Sequence, residues 1–458
     1  MKMALIGGGG VRSPLFVISL LGWQKRIGID ELGLMDIDAH KLELFGALCR
    51  QIVHRAGDPF KITTTTDART AFTDARHVVT TIRVGQDVGR AVDERIALKH
   101  GVLGQETTGP GGFAMAMRSI PALLEYAALL QEVSPGAWMY NFTNPAGLVT
   151  QALRDAGFER TVGICDGANT GQGAVADWAR VDANRVQAQV FGLNHLSWCR
   201  HAWIDGRDLL PEALADERFL QEKQALFDSA LVRQIGMHCN EYLYYYYYAE
   251  QALQVILGEG RSRGEEIVEL NRRLVQQLEA VDIEGNPEQA LRIFFGYEKR
   301  RSATYMHYAN GGSTVADADR QPAFDADIPA QAGEGYAGVA LSVIEALENG
   351  GPLQIALNVP NGDAILGMAD SDVVEVSCRV DAKGIHALDI GEVPAAQLNL
   401  MKTIKLYEKL SIEAIQTRSR SQAVEALMVH PLVLSYPRAK ALVDDYLNAH
   451  RGLVGEWR

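Results

Sequence analysis

Residues 1–14 read MKMALIGGGGVRSP. A short apolar run, Lys2 to Ile6, stops in glycines, and a helix-like apolar periodicity follows from Ser13 to Leu21. Strand, glycine turn and helix is the order that brings bare backbone against a phosphate at a helix N-terminus. Working outward, RIGIDELGLMDID (residues 26–38) supplies a second strand that ends at Asp36 and Asp38. A carboxylate there accepts both adenosine ribose hydroxyls and repels a 2′-phosphate, so the expected ligand is NAD and not NADP. The glycines do not form a clean GxGxxG, and Asp36 stands 26 residues beyond Gly10, against about 20 in the usual fingerprint. A tight structural turn is the competing use of such a run. The order strand, helix, strand, acid favours the dinucleotide.

The same alternation continues. Strands are expected in HVVTTIRVG (77–85), AWMYNFTNPAG (137–147), RTVGICDG (160–167) and RVQAQVFGLNHLSW (185–198), with helices such as residues 111–133 between most of them. This pattern makes a mostly parallel sheet covered on both faces, with its chemistry at the strand C-termini. Polar residues fall there: Arg83, Asn141, Asn144, Cys165, Asp166, Asn194 and His195. A chain of 458 residues exceeds one ordinary core. The expected organisation is therefore a Rossmann-like NAD-binding domain over 1–195, packed on an α+β domain over 196–458. In the second half, 293–324 reads as polar and loop-rich, 335–350 as a helix, 352–380 as strands, and the chain from Pro394 onward as helical.

A net charge of −13 without a long basic run argues against nucleic acid as a partner. No stretch has the length and hydropathy of a membrane span, and the first strand begins without a leader, so the expected location is the cytoplasm. The five cysteines, Cys49, Cys165, Cys199, Cys239 and Cys378, are dispersed and odd in number. Reduced thiols are expected.

Several residues carry two readings. Cys165 and His195, each at a strand end, could share a divalent metal on neighbouring strands; spacing alone favours a buried thiol and a hydrogen-bonded histidine. GQETTGPGG (104–112) is a shaped loop, expected to expose Glu106 and two threonines. Asn144 before Pro145 is a turn residue or a contact for sugar hydroxyls. Tyr242 and Tyr244 to Tyr248 are expected on one helix, where they point all round and cannot share a role. Arg90, Arg95, Arg261 and Arg263 are either phosphate contacts or solvated cations.

In chain order, the glycine-rich start, DID, GQETTG with GGF, NFTNPAG, GIC, GLNHLSW, NEYLYYY and SRGEE resemble glycoside hydrolase family four, the NAD- and metal-dependent glycosidases. LSIEAIQTRSRSQAVEALMVHPLV (410–433) resembles that family's C-terminal helices. The resemblance implies an unusual hydrolysis. NAD+ takes a hydride from sugar C3, the metal polarises the C2 and C3 oxygens, a base removes the C2 proton, and the aglycone leaves from C1. Water then adds, and the hydride returns. It further implies Cys165 and His195 as ligands of a divalent metal, Mn2+ first, and Tyr242 as the C2 base. Asn144, Arg90 and Arg263 are implied on the substrate, with Arg90 at a 6-phosphate, and Gly7, Gly9, Asp36, Arg83 and Glu106 at the cofactor. The partner it implies is a small phosphorylated sugar, in a homodimer or homotetramer.

Most of the sequence resembles the 6-phospho-β-glucosidase branch. Two positions depart from it. Asp166 follows the cysteine where that branch has asparagine, as in the 6-phospho-α-glucosidases, where the aspartate protonates the leaving group. Glu241 replaces the usual proline before the base tyrosine. A 6-phospho-α-glucosidase, a glycosidase for another acidic sugar, and a plain NAD dehydrogenase are the alternatives.

Overall fold

The computed structural model describes residues 1–306, 323–328 and 337–458. Its first six strands are β1 (Lys2–Ile6), β2 (Glu31–Met35), β3 (Lys61–Thr65), β4 (Ala75–Thr80), β5 (Trp138–Asn141) and β6 (Thr161–Gly163). They pair in parallel, in the order β6-β5-β4-β1-β2-β3. β1 sits at the centre of this order and is apolar on both faces, as a parallel strand covered by helices on each side must be. The helix Ser13–Ile27 starts with a proline in its first turn and stops at Gly28, φ +66°. The helix Ala39–Arg55 is capped by Asp38, whose carboxylate accepts from the Lys41 N–H.

The chain then departs from simple alternation. Instead of one strand over 185–198 there are two, β7 (Val186–Leu193) and β8 (Leu196–Ile204), antiparallel, with Asn194 and His195 at the turn. Together with β9 (Arg207–Asp208) and β10 (His238–Cys239) they form a separate sheet. His195 therefore lies at a hairpin tip, and no neighbouring parallel strand carries it to Cys165. Three late strands, β11 (Leu353–Pro360), β12 (Val373–Asp381) and β13 (Gly384–Ala387), pair antiparallel and join the first sheet through β6. Among the described residues that sheet has nine strands and draws on both sides of residue 195. Ser377 of β12 ties the sheets together: its Oγ donates to the Ala188 carbonyl and accepts from the Val190 N–H.

The stretch expected to be loop-rich begins inside the helix Pro287–Ala303, and much of its remainder lies outside the described residues. Contrary to the sequence expectation, among the described residues one helix, Pro110–Val133, does have the length and apolar composition to cross a membrane. Phe113, Ala114, Met117 and Ile120 are buried in the core, and at its middle Arg118 is fully covered. Arg118 grips both carboxylate oxygens of Asp93 at 2.9 and 2.6 Å. His450 meets the same carboxylate at 2.6 Å.

Candidate active site

The parallel strands deliver their C-terminal ends to one edge of the sheet. After β1, the Gly7 and Gly8 N–H groups both donate to the Met35 carbonyl, binding the turn to the end of β2. Gly7 has φ +93°, and a Cβ on Gly8 would stand 2.8 Å from the Leu34 Cβ, so neither position accepts a side chain. The Asp36 carboxylate accepts from the Gly9 N–H at 3.0 Å and the Asp38 N–H at 3.0 Å. It is held beside the glycines with lone pairs to spare for ribose hydroxyls. Ile37 is 81% exposed, an apolar surface next to that carboxylate. Bare backbone, a fixed acid and an uncovered apolar side chain fit an NAD adenosine.

Glu106 is not exposed as its loop predicted. Gly112 would place a Cβ 2.2 Å from the Thr107 carbonyl oxygen. The helix Pro110–Val133 thus starts directly on the loop and folds Glu106 and Thr108 inward. Glu106 meets Arg83 at 2.7 Å and Arg90 at 3.3 Å. Burial works to raise its carboxyl, but Arg83 and Arg90 prevail and hold it down at about 2. Among the described residues Glu106 Oε2 and Arg83 Nη1, the latter 3.3 Å from Asp87, have no hydrogen-bond partner of good geometry. Arg90 is buried and also pairs with Glu94 at 2.7 Å. Arg263 is engaged by Glu266 and by the Thr304 hydroxyl. Arg90 and Arg263 line one small cleft with Gln105, Tyr245 and Ser262. Arg95 pairs with Glu265 at the surface, and Arg261 donates to the Glu265 carbonyl.

Cys165 and His195 both lie beside Tyr242. His195 adopts φ +63° at the hairpin tip and stacks flat on Tyr242, with ring centroids 3.6 Å apart. Its Nδ1 is buried and has no hydrogen-bond partner among the described residues. Burial, opposed by Glu106, depresses the imidazole to about 3, so the ring is neutral and its lone pair is available. A Cβ on Gly167 would stand 3.6 Å from both Cys165 Sγ and Tyr242 Cε2. Burial, then Glu375 and Asp166, push the Cys165 thiol well above its ordinary range. An orphaned imidazole nitrogen, a thiol and nearby carboxylates fit a divalent cation. Among the described residues no three His, Cys, Asp or Glu side chains converge. Water or substrate oxygens would complete the shell.

Asp166 begins the single turn Asp166–Asn169 after Cys165. Burial raises its carboxyl to about 6, against Arg12. Asn144 is half-buried after β5, in a cis peptide with Pro145. The tyrosine run is not one helix: a turn Glu241–Leu243 leads to Tyr244–Tyr247, and a second helix starts at Ala249 after a break at Tyr248, φ −127°. The tyrosines serve separate contacts. Tyr248 bonds Asp228 at 2.9 Å, Tyr246 lies against His430, and Tyr245 lines the cleft.

Two further groups belong to the site. Glu375, fully buried on β12, accepts from Asn194 (3.2 Å) and Asn358 (3.0 Å) on one oxygen and from Ser197 (2.7 Å) on the other. Asn240 also donates to Ser197 Oγ, at 3.1 Å. One carboxylate thus braces the hairpin tip and, through Ser197 and Asn240, the turn before Tyr242. Its signal was a lone acid in the apolar stretch VVEVSC. Tyr305, bonded to Tyr242 at 2.8 Å, gave no local signal.

The model of family 4 glycosyl hydrolases matches residues 2–180, and that of their C-terminal domain matches residues 190–433. The chain belongs to the family 4 glycosyl hydrolases. A Bacillus subtilis (strain 168) member, named "Probable 6-phospho-beta-glucosidase", is 30% identical over 100% of this chain and 98% of its own length. A 6-phospho-alpha-glucosidase of Leptotrichia buccalis is 27% identical over 98% of each chain. The solved 6-phospho-beta-glucosidase of Thermotoga maritima, with manganese, NAD+ and glucose-6-phosphate, superposes with a TM-score of 0.82 at 28% identity over 99% of both chains. The chain has the family fold: a mostly parallel N-terminal sheet packed on a mixed α+β half.

Proposed function

We propose that this chain hydrolyses 6-phospho-β-glucosides, with NAD+ and a divalent metal, Mn2+ first, as its resident groups. The observation that carries this reading is the buried, neutral His195, its Nδ1 unclaimed, stacked on Tyr242 with Cys165 close by. Gly7, Gly9 and Asp36 hold the dinucleotide, with Arg83 and Glu106 at its border; Cys165 and His195 hold the metal. When bound, the two groups supply transient oxidation at sugar C3 and polarisation of the C2 and C3 oxygens. Tyr242 takes the C2 proton, and Asp166 gives a proton to the departing glycosidic oxygen. Asn144 contacts the sugar hydroxyls, and Arg90 and Arg263 face the phosphate. Residues 1–195 form the dinucleotide half and 196–458 the substrate and oligomerisation half of a cytoplasmic homodimer or homotetramer.

A second reading, a 6-phospho-α-glucosidase by the same chemistry, draws on the buried Asp166 carboxyl. The test is aglycone release from nitrophenyl α- and β-glucosides, each with and without a 6-phosphate, in NAD+, Mn2+ and reductant, then with each omitted. Release from the phosphorylated β-substrate alone, and only with both NAD+ and Mn2+, is the expected result. Release from the α-substrate selects the second reading. Net NADH accumulation without sugar release would make the chain a plain dehydrogenase. Asp166→Asn is expected to slow poor leaving groups about 100-fold or more and good ones little; equal loss for both would remove the acid role.

A further inference from the structure

Arg90 and Arg263 line their cleft with their charge already met. Arg90 Nε donates to Glu94 at 2.7 Å, and its Nη1 stands 3.3 Å from Glu106. Arg263 is held by Glu266. Arg83 meets Asp87 as well as Glu106. The first turn of the helix Arg263–Glu279 is engaged too: Glu94 accepts from the Gly264 N–H at 2.6 Å, and the Ser262 hydroxyl accepts from the Glu265 N–H at 3.3 Å. Around Arg83, Arg90 and Arg263 the carboxylates outnumber the guanidiniums, a field that works against a phosphate.

Arg301 differs from all three. It lies half-buried in the last turn of the helix Pro287–Ala303 and forms no ion pair among the described residues. Its Nη1 donates to the Tyr297 hydroxyl at 3.2 Å. Tyr297 is fully buried and donates to Asn271 at 2.5 Å, and Asn271 donates to Asp87 at 2.6 Å. That tether fixes the guanidinium and leaves most of its N–H groups unclaimed. Arg263 Nη2 donates to the Arg301 carbonyl at 3.0 Å, so Arg263 lies against this helix end. Burial opposes the Arg301 charge, Tyr297 and Glu298 restore it, and Arg90 works against it. The same charge helps hold the Glu106 carboxyl down. A surface cation in a last turn complements the helix dipole. A half-buried one without a counter-charge also carries a desolvation cost, which an arriving anion offsets. We infer that Arg301 supplies the uncompensated charge that selects a phosphorylated sugar over an unphosphorylated one, with its unclaimed N–H groups turned to the substrate's 6-phosphate. The inference rests on the reading of Arg90 and Arg263 as the phosphate end of the site.

The test compares two sugars that differ only in the phosphate. Protein loaded with NAD+ and Mn2+ would be titrated by calorimetry with glucose 6-phosphate and with glucose, and assayed on nitrophenyl 6-phospho-β-glucoside. Thermal unfolding and NAD+ affinity would be followed alongside. Arg301→Gln keeps a donor for Tyr297 and removes the charge. It is expected to weaken glucose 6-phosphate binding and to raise KM, each about 10- to 100-fold. Glucose binding, kcat, NAD+ affinity and unfolding temperature should change little. Arg301→Lys keeps the charge without the planar fork and should recover part of the loss. If Arg301→Gln does not fold, Arg301→Lys carries the same comparison. A variant that prefers glucose 6-phosphate over glucose as strongly as wild type overturns the inference. So does an equal weakening of both sugars, which marks a structural role. A loss confined to NAD+ affinity overturns it as well, and moves the charge to the cofactor's pyrophosphate. A wild type that binds glucose 6-phosphate no better than glucose removes the phosphoglucosidase reading, and the inference with it; a preference kept by wild type and variants alike removes the inference alone.

Discussion

At Cys165 and His195 the important quantity is the charge state each side chain holds in its burial. Burial keeps the imidazole neutral, whereas the thiol needs a cation beside it to ionise. Cys165→Ser should abolish Mn2+-supported turnover while NAD+ binding, followed by fluorescence, stays close to wild type. Unchanged turnover would take Cys165 out of the metal site. Glu375 makes a separate prediction about stability. Burial, opposed by Ser197, Asn194 and Asn358, raises its carboxyl from 4.5 to about 7. Its proton is therefore bound more tightly in the folded state than in the unfolded one. The stabilisation is complete below about pH 4.5, fades as pH climbs, and is lost above 7, where the buried charge costs on the order of 3 kcal/mol. Glu375→Gln mimics the protonated acid and should flatten the dependence of thermal unfolding on pH between about 5 and 8. A slope equal to wild type would refute this.

At the scale of elements, the β7–β8 tip is positioned by its contacts. A Cβ on Gly147 would meet Asn194 Cβ at 2.8 Å, so Gly147→Ala must push the tip that carries His195. The expected result is Mn2+ affinity weakened about 10-fold or more, read from activity titrations, with an intact fold. This element also marks the limit of what the sequence makes legible. β1 and β2 are visible because each is one apolar run closed by glycine or aspartate, and Gly7, Gly9 and Asp36 follow from them. The hairpin is hidden because its turn holds no glycine at 194 or 195; His195 itself takes the positive φ. Two strands then read as one. The break at Tyr248 is hidden in the same way, since five identical residues have no periodicity to interrupt. Glu106 looked exposed because close approach of a helix to its loop is a tertiary fact. Tyr242 and Tyr305, 63 residues apart, meet only in the folded chain. Family motifs, and not spacing, singled out Cys165, His195 and Tyr242.

Over the whole molecule, Asp93 joins the helix Gln86–Lys99 to Arg118 of the long core helix and to His450 near the C-terminus. Asp93→Ala would leave the Arg118 guanidinium, 0% exposed, without its counter-charge, and is expected to lower stability by about 3–5 kcal/mol in urea unfolding. Replacing Arg118 by Met in the same chain should recover much of that; no recovery would mean that the pair acts through packing alone. The nine-stranded sheet has a further consequence, for how copies of the chain meet. Its rims are β13, four residues long, and β3, five residues with Lys61 exposed at its start. Strands this short, one with a surface lysine, are poor templates for another chain's backbone. Open-ended polymerisation by sheet extension is thereby discouraged.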